Sequence, residues 1–346
     1  MKNKKTAKII TGVLIFLAVC IIAGFVVGDI FGKKAEKSET FGIAMGTVVS
    51  TKLFSYGDAS SQCNDINKLI GELENEISWR EENSAVSLLN KNSSVACDEK
   101  LKNVFLKANE VSELSGGAFD ITVGKLTTLW NIGEENAHVP SDKEIKEALK
   151  YVDYSGVKTE NGKISLKKGQ FVELGAVGKG LACDRVREYL KNTDVKGAVI
   201  SVGGSVLLYG NAERKKPWTV AVRDPRGESG DYMGVLTLQE CCISTSGDYE
   251  RILEKDGKTY HHIIDPKTGY PSDSGLISVT VVSDSGFLSD ALSTACFVLG
   301  EEEGKKLLKK YNAEGVFIKS DSSVSVTNGL SDKFSITSDK YTVSGE

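Results

Sequence analysis

The chain has 346 residues, of which 40% are apolar, and a formal net charge of −4 at pH 7. This length is sufficient for one large hydrophobic core or two modest ones. Because acidic and basic residues are interspersed, the sequence predicts no basic surface for nucleic acid. The seven cysteines lack the pair spacing of a zinc site or a redox motif, so they indicate neither.

The N-terminus has the pattern of a membrane anchor. Lysines precede an apolar run over residues 9–27, which approaches the roughly 20 residues that cross a bilayer. We therefore expect a cytoplasmic segment at 1–8, a single-pass transmembrane helix at 9–27 in the cell membrane, a tether at 28–40 and an extracytoplasmic domain at 41–340. A cleaved signal peptide is the alternative interpretation of 9–27, although no small-residue cleavage site follows the run.

The first part of this domain is predicted to be mostly helical. Apolar residues at helical spacing and β-branched runs indicate the elements. In chain order they are a strand over 41–54, a helix over 60–77, a loop and short helix over 78–90, a helix over 100–114, an apolar segment over 118–130 and a helix over 141–151.

The stretch FVELGAVGKGLACDRVREYL, residues 171–190, predicts a strand, a glycine turn and a helix. Residues 171–174 alternate like a strand, glycines follow at 175, 178 and 180, and apolar residues recur at helical spacing from 181. A helix N-terminus behind such a turn favours an anion, and Lys179 adds positive charge. The spacing fits neither the Walker loop nor GxGxxG, and a tight turn without a ligand is the alternative.

The second half alternates between strands and helices. The predicted strands lie at 198–202, 218–222, 276–282, 315–318, 323–327 and 334–337, and the predicted helices at 287–299 and 302–311. Residues 236–243 lead into a predicted polar turn at 244–249. This mixture, with 35 glycines, favours a turn-rich fold that combines both element types over a helical bundle.

Two residue pairs in this half are candidates for chemistry. Asp290 and Thr294 lie one helical turn apart, a spacing that suits Mg²⁺, although a dipole role for Asp290 and core packing of Thr294 are favoured by spacing alone. His261 and His262 would point to opposite faces of a strand, so at most one enters a site. No GxSxG motif supports a serine nucleophile.

Seven sequence blocks occur in one order along the chain. They are AMGT at 44–47, GGAFDITVG at 116–124, ELGAVGKGLACD at 173–184, SVGGSV at 201–206, STSGDYER at 244–251, HHIIDPKTGYP at 261–271 and SVTVVSDSGFLSDALSTACFVLG at 278–300. Together they resemble the ApbE family, the FAD:protein FMN transferases, and the resemblance extends from residue 41 to about residue 318.

The resemblance implies an α+β, T-fold-like architecture with mixed and antiparallel sheets and packed helices. It implies FAD as substrate, Mg²⁺ as cofactor, and transfer of the FMN half of FAD through a phosphodiester to a threonine or serine of an acceptor protein, with release of AMP. The acceptor would be an exported or membrane-bound protein with a threonine flavinylation motif.

The resemblance also assigns roles to individual residues. The implied metal ligands are the Ala176 carbonyl, Asp290 and Thr294. The implied FAD contacts are Met45, Trp79, Ala118, Phe119, Asp120, Glu173, Lys179 and His262. His262 and Asp290 are both candidates to take the proton of the acceptor hydroxyl.

Three positions depart from the family pattern. Glu173 stands where aspartate is usual, Gly178 replaces a common alanine, and Trp79 replaces a frequent tyrosine. Two other functions use the same residues: an FAD pyrophosphatase with water as acceptor, and a surface protein that binds FAD without chemistry. Intact Asp290 and Thr294 argue against the second, because a binder does not need a metal at the pyrophosphate.

Overall fold

The computed structural model of the chain describes residues 36–211 and 216–344. The predicted anchor or signal peptide at 9–27, the segment at 1–8 and the first part of the tether lie outside these residues. Within the two described ranges, no helix is long and apolar enough to cross a membrane.

The described residues contain seventeen strands and eight α-helices. The strands are β1 (Glu36–Ala44), β2 (Thr47–Ser55), β3 (Ser94–Ala96), β4 (Lys158–Glu160), β5 (Lys163–Ser165), β6 (Val195–Val202), β7 (Ser205–Gly210), β8 (Trp218–Arg223), β9 (Tyr232–Leu238), β10 (Cys241–Gly247), β11 (Ile252–Lys255), β12 (Lys258–His261), β13 (Leu276–Ser283), β14 (Glu314–Lys319), β15 (Ser323–Val326), β16 (Phe334–Ile336) and β17 (Thr342–Val343). The helices are α1 (Ala59–Ile77), α2 (Ala85–Asn92), α3 (Glu99–Leu114), α4 (Gly124–Trp130), α5 (Asp142–Leu149), α6 (Gly178–Leu190), α7 (Gly286–Leu299) and α8 (Glu301–Lys310).

A nine-stranded sheet organises this part of the chain, in the order β1-β2-β6-β7-β10-β13-β14-β15-β17. Neighbouring strands pair antiparallel except β15 and β17, which pair parallel. Two three-stranded sheets, β16-β9-β8 and β3-β5-β4, and the hairpin β11-β12 complete the strands. Mixed pairing and packed helices confirm the predicted α+β class.

Two hydrophobic cores lie on the two faces of the main sheet. The helical core collects the apolar stripes of α1, α3, α6 and α7 against the sheet. On α1 this stripe is formed by Ile66, Ile70, Leu73 and Ile77, all buried at helical spacing. The second core packs β8 and β9 against the opposite face, with Trp218 at its centre. Both faces are therefore buried, which holds the ends of β2, β6 and β10 in fixed positions.

Four local predictions differ from the structure. The first four residues of the polar turn expected at 244–249 are the end of strand β10 and pair with β13. The strand expected at 41–54 is the hairpin β1-β2, because Met45 and Gly46 both adopt positive φ and form a two-residue turn between paired Ala44 and Thr47. Residues 36–40, expected in the tether, belong to β1 and pair with 51–55. The strand expected at 171–174 is an isolated bridge between Val123 and Phe171.

Candidate active site

A cavity of about 800 Å³ lies where the β1-β2 turn, the start of α6, helix α7 and strand β10 meet. All residues to which the resemblance assigned a role line this one cavity. They are Met45, Trp79, Ala118, Phe119, Asp120, Glu173, Ala176, Lys179, His262, Asp290 and Thr294. These residues come from distant parts of the chain, so the fold brings together what the sequence separates.

Asp290 lies at the base of the cavity and receives a backbone hydrogen bond from helix α6. The N–H of Gly180 donates to Asp290 Oδ2 at 2.9 Å. If α6 began one turn earlier, this N–H would bond to the carbonyl of Ala176, four residues before it. Because the N–H donates to Asp290 instead, the Ala176 carbonyl lacks this intrahelical partner. The Lys179 ammonium is 3.9 Å from Asp290 Oδ1. Burial raises the pKa of the Asp290 carboxyl, and Lys179 and the Gly180 N–H oppose this rise.

Thr294 is held from the side of strand β10. The hydroxyl of Ser246 lies 3.4 Å from that of Thr294 and 2.8 Å from that of Ser293. Ser246 itself lines the cavity. We call Ala176, Ser246, Asp290 and Thr294 the cavity floor. Its polar atoms are a carboxylate, hydroxyls and a carbonyl, which are the oxygen ligands that Mg²⁺ prefers.

Helices α6 and α7 approach each other unusually closely beneath this floor. A Cβ on Gly180 would overlap the carbonyl oxygen of Gly286 and come within 2.7 Å of Asp290 Cβ. Gly180 is therefore required by helix packing, rather than by access of a ligand to the turn as the sequence suggested. A Cβ on Gly178 would meet only Ile77 Cδ1, at 3.5 Å, which is ordinary contact. An alanine at position 178, as is common in the family, would therefore also fit.

The two histidines separate as the alternation of a strand predicts. His262 lines the cavity, whereas Nε2 of His261 donates a hydrogen bond to the Ser272 carbonyl, 2.9 Å away, and the His261 ring packs against Phe297. Nδ1 of His262 is buried without a hydrogen-bond partner among the described residues. Burial, reinforced by Arg251 and Lys179, lowers the pKa of His262 to about 3. The imidazole is therefore neutral at physiological pH.

The mouth of the cavity is lined by long charged and aromatic side chains. The Trp79 ring packs edge-on against Phe171 at 5.3 Å, and the Arg80 guanidinium lies 4.5 Å from the centre of the Trp79 ring. Arg80 also pairs with Glu134 at 2.9 Å. We call Trp79, Arg80, Glu134 and Arg251 the cavity rim. A flat ring system entering here would meet Trp79 first.

Arg251 adds a cation to the rim that the resemblance did not assign. Its side chain lies over Gly133, where a Cβ would be 2.9 Å from Arg251 Cδ, and its Nη2 is 3.6 Å from the position of a Cβ on Gly46. No carboxylate lies within ion-pair distance of its guanidinium in the described residues. The block STSGDYER contains Arg251 and Ser246, but nothing in its spacing distinguishes them from its other polar residues.

Asp120 and Glu173, the two other acidic residues predicted to contact FAD, have different surroundings. Both carboxylate oxygens of Asp120 are used inside the protein, by Thr122 and by the Tyr154 N–H at 3.0 Å. Asp120 therefore fixes its own loop at the wall of the cavity. Burial raises the pKa of Glu173, while the Arg80 and Arg251 guanidinium groups oppose this rise. Glu173 thus lies in the field of both rim arginines.

The floor and the rim together define a class of site. Oxygen ligands and one lysine face a cavity whose mouth has an aromatic ring and arginines, which is the chemistry of a site for a phosphorylated ligand with a flat ring system. The chain also matches known proteins over most of its length. A family model described as the ApbE family matches residues 45–317.

Relatives and solved structures agree with this match. The chain is 32% identical over 340 residues to the FAD:protein FMN transferase of Treponema pallidum (strain Nichols), covering 91% of this chain and 93% of the relative. It is 30% identical over 281 residues to the protein of that name from Vibrio cholerae, covering 79% and 84%. The ApbE protein of Thermotoga maritima superposes with a TM-score of 0.78 at 33% identity, covering 85% and 98%.

The apo form of the Pseudomonas stutzeri flavinyl transferase ApbE also superposes, with a TM-score of 0.77 at 25% identity over 88% of this chain and 98% of that one. The chain therefore belongs to the ApbE family. Its ApbE-like α+β fold and the family predicted from the seven blocks are confirmed. The prediction of an enzyme of the flavinyltransferase type is confirmed at the level of this family.

Proposed function

We propose that this chain moves the FMN half of FAD onto a threonine or serine hydroxyl of an acceptor protein, in a Mg²⁺-dependent reaction that releases AMP. The observation that carries the proposal is the convergence of every residue expected for this reaction on one cavity. Family membership supports flavin transfer, and the chemistry of the floor supports the metal and the acceptor hydroxyl.

The floor fits a magnesium ion. Mg²⁺ takes few protein ligands and completes its shell with water and substrate phosphates, so a single carboxylate is sufficient. The Asp290 carboxylate, the Ala176 carbonyl and the Thr294 hydroxyl would hold it, and it would supply positive charge at the pyrophosphate. Burial raises the pKa of Asp290, and the Lys179 ammonium is 3.9 Å from its Oδ1. A divalent ion would compensate this buried charge.

FAD would lie with its phosphates above the floor and its ring systems toward the rim. Lys179 and Arg251 supply the cations for the phosphates, and Trp79 offers a ring for stacking. Because these groups hold the substrate in one orientation, the phosphorus of the FMN half is presented toward the open side of the cavity. Positioning of this kind lowers the barrier by making the attack effectively unimolecular.

The transfer forms one bond and breaks one. The acceptor hydroxyl oxygen bonds to the phosphorus of the FMN half, the bond from that phosphorus to the bridging oxygen breaks, and its electron pair leaves with AMP. The hydroxyl proton moves to the imidazole of His262, which is neutral at physiological pH and so has one nitrogen free to accept it. The negative phosphates of FAD oppose the effect of Arg251 and Lys179 and so raise the basicity of His262 when substrate binds.

The proposed location of the reaction rests on the N-terminal sequence. We propose that the chain is a single-pass protein of the cell membrane, held by residues 9–27, and that its domain modifies an exported or membrane-bound protein outside the cytoplasm. The lysines before the apolar run support this orientation.

Mass spectrometry of an acceptor tests the proposal. The full-length chain, FAD and Mg²⁺ are incubated with a protein domain that the Vibrio cholerae relative flavinylates. A mass gain equal to FMN on one threonine or serine, lost on chelation, is the expected result. Release of FMN and AMP without labelling would instead identify a pyrophosphatase, and bound intact FAD without turnover would identify a binding protein.

A further inference from the structure

The two edges of the nine-stranded sheet are protected to different degrees. At one edge, β17 has only two residues. At the other edge, β1 has nine residues and pairs only with β2 within the described part of the chain. Proteins usually blunt exposed edges by shortness, charge or proline, because unpaired backbone groups accept further strands. Shortness protects the β17 edge but not the β1 edge.

Charge protects only the half of β1 that lies farther from the cavity. Glu36, Lys37 and Glu39 occupy its beginning, whereas no charged residue and no proline occurs from 40 to 44. In this second half Phe41 is 56% exposed and Ile43 is 80% exposed. They share a face, since alternate residues of a strand point the same way.

The other face of β1 is already covered. Asn67 of helix α1 donates from Nδ2 to the Thr40 hydroxyl at 3.2 Å and lies 3.7 Å from the position of a Cβ on Gly42. A partner of β1 could therefore use the outer backbone edge and the face of Phe41 and Ile43. We call these residues, with the outer edge of 40–44, the β1 edge.

The β1 edge runs directly into the cavity. Ile43 is paired with Val48, and Val48 lines the cavity. The strand then continues into Met45 and Gly46, which also line it. A segment lying along the β1 edge would thus be led to the mouth of the cavity, where the acceptor hydroxyl has to enter.

We propose that the acceptor protein docks by adding an extended segment as a new strand to the β1 edge, with apolar side chains against Phe41 and Ile43. The inference rests on the proposed function, because it concerns the protein that receives FMN. In strand addition, main-chain hydrogen bonds give affinity and alternate side chains give specificity. This mode suits an enzyme that must present one hydroxyl residue while its neighbours stay outside the cavity.

The test places a charge on the β1 edge and measures the KM for the acceptor. Ile43→Lys and Phe41→Lys are compared with the full-length wild-type chain, using the acceptor domain modified by the Vibrio cholerae relative. We expect the KM for the acceptor to rise about tenfold in each variant, because the charge replaces apolar contact, while the FAD requirement stays unchanged. Val343→Lys at the β17 edge is the matched control, since Val343 is also exposed, and its KM should stay within about twofold of wild type.

Amide hydrogen exchange separates strand addition from other contacts. Bound acceptor should slow exchange of β1 amides and leave those of β17 unchanged. An acceptor KM that does not change in Ile43→Lys overturns the inference, as does a raised KM without protection of β1. Protection of β1 in the free chain would identify its own N-terminal residues as the occupant. If the wild-type chain formed dimers that Ile43→Lys abolished without changing the acceptor KM, the occupant of the β1 edge would be a second copy of this chain. If wild type labels no acceptor, the proposed function itself fails.

Discussion

The floor and the rim of the cavity are built in opposite ways, although they face the same volume. Asp290 on the floor is 5% exposed and is fixed by a backbone N–H from a second helix. Arg80 and Arg251 on the rim are exposed and extend from loop and hairpin. Groups that must meet the reacting atoms are therefore held by packing, whereas groups that meet the incoming substrate remain free to adjust.

This difference predicts where substitutions act. A change on the floor disturbs the chemistry or the packing of α6 against α7, because buried side chains have no room to relax. A change on the rim alters substrate affinity with little effect on stability, since exposed arginines contribute little to folding. Four predictions can break or sharpen this contrast.

The largest effect is expected from Asp290→Asn. The substitution keeps the shape of the side chain but removes the charge at the proposed metal site, so we expect FMN transfer to fall by about 1000-fold or more. Rates of flavin incorporation at several Mg²⁺ concentrations measure it. Asp284→Asn is the matched control, because Asp284 is exposed two residues before α7. Transfer within about tenfold of wild type would remove Asp290 from the mechanism.

The next effect concerns packing beneath the floor. Gly180→Ala forces a methyl group against the Gly286 carbonyl and Asp290, so we expect the free energy of unfolding to fall by about 3 kcal/mol. Gly178→Ala, two residues away, should be neutral or stabilising by up to about 1 kcal/mol, since the position is helical and open. Urea unfolding distinguishes them. Equal stability of the two variants would show that α6 and α7 can move apart.

His262 predicts how stability depends on pH. Its pKa is about 3 in the folded chain against 6.5 for a free imidazole, so the unfolded chain binds the proton more readily between these values. Stability is therefore complete above pH 6.5 and declines as pH falls toward 3, by about 2 kcal/mol between pH 7 and pH 5.

Denaturant unfolding of His262→Gln at both pH values tests this assignment. The variant should lose about 2 kcal/mol less than wild type on acidification. His138→Gln is the control, because the His138 side chain is exposed and does not line the cavity. If His262→Gln lost as much stability on acidification as wild type, the loss would come from other titratable groups.

The ordered blocks predicted which residues share the cavity, but not how they are held. The β-branched run at 276–282 and the helical spacing of 287–299 were strong enough to predict β13 and α7 closely. The β1-β2 turn escaped prediction because it requires positive φ at Met45, which a methionine rarely adopts. The strand expected at 171–174 did not form because, among the described residues, it pairs only through the single bridge between Phe171 and Val123.

Long-range approach explains the other misses. Gly180 appeared to serve a ligand, because its contact with Gly286 joins residues more than 100 positions apart. Arg251 was not selected, since its place over Gly133 depends on the hairpin β11-β12 folding back on the loop after α4. Residue type and spacing identify candidates, whereas the distance between elements decides their roles.

Arg251→Gln is expected to have the smallest effect and to identify the rim as the site of substrate affinity. The Arg251 guanidinium faces the cavity, and no carboxylate lies at ion-pair distance from it in the described residues. Its positive charge would therefore be available to the phosphates of FAD. We expect the Kd for FAD to rise about fivefold to tenfold, with the free energy of unfolding unchanged. Flavin fluorescence titration measures the Kd. Arg251→Lys should recover part of the affinity because it keeps the charge but loses the paired donors.

The control for this prediction lies on the same hairpin. Lys255→Gln removes an equal charge from an exposed position outside the cavity lining, and it should leave the Kd within about twofold of wild type. If both variants weakened FAD equally, the effect would be one of net charge, and the rim would have no specific cation site. If only Arg251→Gln weakened FAD while its acceptor KM stayed constant, the rim arginine would act on substrate, and the contrast with the floor would hold.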